Sequence, residues 1–220
     1  MSREATKVIS RIRTATQEAP SLSTTVLRSI RRQVSKEIRG LKANTVLEVA
    51  FELITLGGTY NRFLACELVL HHKKTTEALD SKKVVRLGAG IDSWADVDIF
   101  ASYIAGPAWR EHRIPSNLVV KWARSKDRWW RRAALVSTVP LNNKARGGTG
   151  DTFRTLKVCQ LAVRDRDDMV AKALSWALRE LSKRDKAAVK NFLNQNISGL
   201  HPRVIREVNN KLRTGLKTPL

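Results

Sequence analysis

Asp92-Ser93-Trp94-Ala95-Asp96-Val97-Asp98 places three carboxylates and an indole within seven residues. The surrounding chain is strongly basic, with 41 Lys and Arg against 20 Asp and Glu and a formal net charge of +21. Yet from Leu87 to Ala108 there is no Lys or Arg. Two of the carboxylates have a local explanation. Ser93 reads as a helix N-cap, and Asp96, three residues on, completes a Ser-x-x-Asp capping box. Asp92 and Asp96 also suit the positive end of the helix dipole. Asp98 lies beyond the cap, four residues after Trp94 and on the same helix face. Two readings fit it: a solvated charge beside a core Trp, or a carboxylate held against an aromatic wall and facing a cation. The second would do electrostatic chemistry, stabilising positive charge that develops on a substrate.

Basic and aromatic residues coincide in two further places. On the helix expected over Asp168 to Ser182, Met169, Val170, Ala173, Leu174, Ala177, Leu178 and Leu181 make the buried stripe. Lys172, Trp176, Arg179 and Lys183 run along the neighbouring face. Such a face suits cations meeting phosphates and an aromatic meeting a sugar or base; the plainer alternative has Trp176 flanking the core. Lys121, Arg124, Lys126, Arg128, Arg131 and Arg132 form the second cluster, around one acid, Asp127. Trp122 and one of Trp129 or Trp130 are read as core. Pressed between Trp129 and Ala133, Arg132 would be fixed in direction, as bidentate phosphate binding requires. The segment Lys144 to Gly150 is Gly-rich but lacks Walker A spacing. It reads as a flexible helix connector.

The elements that must position these residues are helices, because the hydrophobic period stays near 3.6 throughout. Helices are expected from Ser21–Thr25 to Ile38, Val46 to Leu56, Tyr60 to His72, Thr76 to Leu87, and from Ser93 to a stop at Gly106-Pro107. A short helix opens at Pro115. Ser125 to Val139, Thr152 to Val163, Asp168 to Ser182, Lys186 to Asn196 and Pro202 to Leu212 follow. Arg62-Phe-Leu-Ala, Arg132-Ala-Ala, Lys172-Ala-Leu and Arg206-Glu-Val recur at spacings of 70, 40 and 34 residues. Counting 70 as two units gives a period of about 35 to 40, in the range of HEAT-like helix pairs.

The charge favours a polyanionic partner, nucleic acid before an anionic membrane. No run of about 18 apolar residues occurs, so no membrane span is expected. The first 16 residues lack the apolar core of a secretory signal. Cys66 and Cys159 are unpatterned, which suits a reducing cytoplasm. The four histidines show no metal-ligand spacing with them, so no zinc site is expected.

Three blocks carry a resemblance: Ser93-Trp94-x-x-Val97-Asp98, Trp129-x-x-Arg132-Ala133-Ala134, and Lys172-Ala173-x-x-Trp176-x-Leu178-Arg179-Glu180. In this order they resemble the AlkD-like DNA glycosylases of the DNA alkylation repair family, from about Tyr60 to Leu212. The resemblance implies one domain over residues 1–220, an all-α superhelical solenoid of HEAT-like helix pairs with a concave DNA-binding groove. It implies excision of cationic N3- or N7-alkylated purines from duplex DNA, without base flipping. Asp98 takes the catalytic position, Trp94 and Trp176 the lesion's deoxyribose, and Arg132 the nearby backbone. Lys172, Arg179, Arg131 and Lys183 are expected on the DNA backbone as well. Ala95 and the Gly-rich segment depart from the family's pattern and bear on lesion range. The expectation is a cytoplasmic, nucleoid-associated monomer acting on alkylated double-stranded DNA, with no membrane partner and no cofactor or metal. A non-catalytic module for structured or branched nucleic acid is the alternative, and a protein-binding scaffold a third reading.

Overall fold

Serine and aspartate side chains set where most of the helices begin. Ser2, Ser23, Asp80, Ser93, Asp127, Asp151, Asp167 and Asp185 each accept a hydrogen bond from a backbone N–H two or three residues on. Each such cap stabilises its helix by about 1 kcal/mol. The protein is described by a computed structural model over residues 1–218. Among those residues no strand occurs. The chain divides into two compact units, Met1–Ile91 and Asp92–Leu220.

The first unit holds α1 (Arg3–Gln17), α2 (Thr24–Ile38), α3 (Ala43–Leu56), α4 (Thr59–Leu70), α5 (Lys73–Glu77) and α6 (Ser81–Leu87). Helix α1 went unread in the sequence, although Ala5, Val8, Ile9 and Ile12 mark its buried face at helical spacing. The helix expected over Thr76 to Leu87 is two, because Asp80 caps a new start and Ala78 to Asp80 form the break. Two buried charges tie the unit together. Arg31 on α2 donates to Glu67 on α4 at 2.9 Å. Arg62 donates to the Leu87 and Ala89 carbonyls at the end of α6.

The second unit begins with α7 (Trp94–Phe100), a π turn over Ala101–Ala105 and α8 (Gly106–Arg110) as one continuous helical run. Gly106-Pro107 therefore does not stop the helix. Proline lacks an N–H and crowds the preceding turn; the wider π turn immediately before it supplies the room. Then come α9 (Ser116–Ala123), α10 (Arg128–Val136), α11 (Val139–Asn142), α12 (Thr152–Leu161), α13 (Asp168–Leu181), α14 (Lys186–Asn196) and α15 (Pro202–Thr214). Helix α10 starts at Arg128 rather than Ser125, since Asp127 caps it and leaves Ser125 to Asp127 in the loop. Helices α7, α10, α13 and α15 pack side by side as one row, with α9 and α12 behind α10 and α13.

The Gly-rich segment is not a flexible connector. Arg184 donates to the Asn142 and Gly148 carbonyls, and Asn142 accepts from the Asp151 N–H. A Cβ on Gly148 would stand 2.5 Å from the Pro140 carbonyl oxygen. Glycine is required there because the backbone itself is packed, and the segment is held along most of its length. No helix among the described residues is long and apolar enough to cross a membrane.

Candidate functional site

Arg132 is the centre of the row of helices. It stands on α10, and its side chain is 6% exposed. Its guanidinium forks onto Asp98 of α7, Nε donating to Oδ1 at 3.0 Å and Nη2 to Oδ2 at 2.9 Å. Its Nη1 donates to the Met169 carbonyl of α13 at 2.6 Å. One side chain thus joins three helices. A buried cation persists only when paired and hydrogen-bonded, and here each of the three guanidinium nitrogens donates to an acceptor within the protein. Fully buried Ala133 and Ala134 beside Arg132 let the flanking helices approach closely enough for the reach.

Asp98 is half-buried, its side chain 21% exposed. Burial raises its carboxyl above the usual aspartate range; the hydrogen bond and charge of Arg132 pull the other way without cancelling that. The arrangement is a carboxylate fixed in direction, with one flank open to solvent. Trp94, one turn earlier on α7, is 58% exposed. An indole left in solvent beside a half-buried acid is not explained by packing. Trp176 is half-buried on α13, seven residues and so two turns beyond Met169 on the same face.

Phe100, Trp122 and Trp130 form one aromatic cluster, with ring centroids 5.1 to 6.0 Å apart. Of the two candidate core tryptophans on α10, Trp130 is the one that packs there. Arg128, not Arg132, lies over the Trp129 ring, at 4.7 Å.

The remaining expected DNA contacts are each held by an acid. Arg131 donates to Asp165 at 2.6 Å and to the Ser125 and Lys126 carbonyls. Lys172 pairs with Asp168 and Lys183 with Glu180, both at 2.7 Å. Arg179 donates to Ser175 Oγ at 3.1 Å and lies 3.9 Å from Glu207. Glu207 went unread in the sequence. It is buried on α15, accepts from Ser175 at 2.6 Å, and also meets Arg203 and Lys217. Burial pushes its carboxyl up, but the Ser175 hydrogen bond and then the charges of Lys217, Arg179 and Arg203 hold it below the usual range. The signal was available: Glu207 is the lone acid on a basic helix, four residues after Arg203. Ser175 and Arg179, on either side of Trp176 along α13, both belong to the Glu207 network.

A family model for the DNA alkylation repair enzymes matches residues 2–212. The chain belongs to that family. The match starts almost at the N-terminus, well before Tyr60, so the first unit is part of the family pattern and not an appendage. No curated protein matches the chain. Among the described residues no group of three or more His, Cys, Asp and Glu side chains is placed to hold a metal.

Proposed function

We infer that the chain is a DNA glycosylase that hydrolyses the N-glycosidic bond of cationic N3- or N7-alkylated purines in duplex DNA. The observation that carries this reading is the Asp98–Arg132 fork, open to solvent on one flank, within a DNA alkylation repair enzyme. The positively charged base takes the electron pair of its bond to C1′ and departs neutral. No general acid is needed for such a leaving group. The sugar is left with oxocarbenium character, as in glycoside hydrolysis. Ionised Asp98 stabilises that charge and orients a water, which adds to C1′ and passes its proton to bulk water through the open flank of the site. Trp94 and Trp176 offer ring faces to the cationic nucleotide and exclude water around it.

Arg132 was expected on a phosphate. Its Nε, Nη1 and Nη2 groups are engaged within the protein, which supports a positioning role instead: it aims Asp98 and favours its ionised form. A binding module without catalysis remains the competing reading. The test is release of 7-methylguanine and 3-methyladenine from methylated duplex DNA. Wild-type release lost in Asp98→Asn is expected; equal and negligible release from both leaves only the binding module.

A further inference from the structure

The cations expected to grip DNA are internally paired, which moves the question of phosphate binding elsewhere. In the second unit the α9–α10 loop and the α12–α13 loop lie side by side. Arg131 joins them by donating to Asp165 and to the Ser125 and Lys126 carbonyls. Arg128 adds a second bridge, 3.5 Å from Asp167. The sequence of the second loop alternates Arg164-Asp165-Arg166-Asp167 and is formally neutral. The fold separates the signs. Asp165 and Asp167 turn inward, with side chains 13% and 21% exposed, and Asp167 also caps α13. Arg164 and Arg166 turn outward, as do Arg124 and Lys126 of the first loop, and all four are exposed. None of the four forms an ion pair among the described residues.

We propose that this two-loop edge, carrying Arg124, Lys126, Arg164 and Arg166, binds the phosphodiester backbone of the DNA strand that runs past Asp98. Position favours it. Lys126 precedes Arg132 by six residues, and Met169, which Arg132 also reaches, lies in the first turn of α13. At about 1.5 Å of rise per residue the start of α10 at Arg128 stands roughly 6 Å from Arg132 along the helix, and Lys126 lies two residues beyond it in the loop. That is about two nucleotides of one strand at ~3.4 Å each to the start of the helix. Exposed, unpaired cations release counterions from phosphates without first breaking an internal ion pair, which Arg131, Lys172, Arg179 and Lys183 would have to do.

The inference rests on the reading of DNA as substrate, and its test uses undamaged duplex so that catalysis does not enter. The edge variant Arg124→Gln/Lys126→Gln/Arg164→Gln/Arg166→Gln is compared with a control of equal charge, Lys157→Gln/Lys190→Gln/Arg206→Gln/Arg213→Gln, whose positions are exposed elsewhere in the unit. Circular dichroism and thermal midpoints confirm folding of both. The slope of log affinity against log salt should become shallower by about 3 to 4 in the edge variant and by less than about 1 in the control. Equal loss in the two variants, or greater loss in the control, overturns the proposal, since net charge or another face then carries binding. Normal edge-dependent binding with no excision by wild type would instead sink the glycosylase reading alone.

Discussion

Arg132 and Asp98 illustrate how one ion pair can both join helices and fix the direction of a carboxylate. Removing Arg132 leaves a half-buried carboxylate uncompensated, and Arg132→Ala should cost about 3 kcal/mol of stability in denaturant melts. It should also push the Asp98 carboxyl further up, because both effects that lower it come from Arg132. If Asp98 acts ionised, as proposed, excision by wild type should fall as pH drops through a value above the ordinary ~3.9 of aspartate. In Arg132→Gln that acid limb should move to higher pH still, a shift that a merely structural arginine would not produce. The linkage has a definite sign. A raised carboxyl means that the folded state holds this proton more tightly than the unfolded chain. The stability it contributes is complete below the unfolded value and is lost as pH rises through the folded one. Asp98→Asn should abolish that component, seen as a stability profile that falls less than that of wild type as pH rises from the ordinary aspartate range upward. The same substitution should reduce excision by about 10² to 10³, the usual cost of losing one electrostatic stabiliser. Trp94 separates function from packing: with the indole 58% exposed, Trp94→Ala should shift stability by less than about 0.5 kcal/mol. A tenfold or larger fall in excision at unchanged melting temperature is the expected readout.

At the scale of elements, the run α7–π turn–α8 has to deliver Asp98 to α10 and still pass beneath Pro140. Gly106 is where this is tightest. A Cβ there would stand 2.7 Å from Pro140 Cγ, 2.7 Å from the Ser137 carbonyl oxygen and 2.9 Å from that of Ala101. Gly106 has ordinary helical backbone angles, so its role is close approach and not conformational freedom. Gly106→Ala should destabilise by about 1 to 3 kcal/mol through overpacking. Because the displaced helix carries Asp98, excision should fall by more than duplex binding does. A variant with wild-type stability would show that the π turn can absorb the methyl. Helices α10 and α13 hold Asp98 through different means: α10 supplies the buried arginine, while α13 supplies the Met169 carbonyl that anchors it at the first turn.

For the whole molecule, charge and topology answer different questions. Forty-one cations against twenty acids made a polyanionic partner legible from composition alone, and duplex affinity should drop steeply between about 50 and 200 mM salt. An affinity flat over that range would exclude a phosphate-driven interface. The helical class and most helix ends were legible too, because caps such as Ser93 and Asp167 and a 3.6-residue apolar period act over a few neighbouring residues. So was family membership, through the Trp94–Asp98, Arg132 and Lys172–Trp176 blocks that the family match now contains. What each cation faces was not legible. Arg131, Arg132, Lys172, Arg179 and Lys183 look alike in sequence to Arg124 and Arg164, but folding brings acids from up to 34 residues away onto some of them and leaves others bare. The pairing of a charge depends on which side chains meet across helices, and burial then sets whether that pairing costs or stabilises. Local sequence therefore determined where the helices lie and what kind of partner the protein attracts. Only the packing of α7, α10 and α13 decided that its arginine at position 132 holds an aspartate, since the ion pair exists only once three separate helices have excluded water around it.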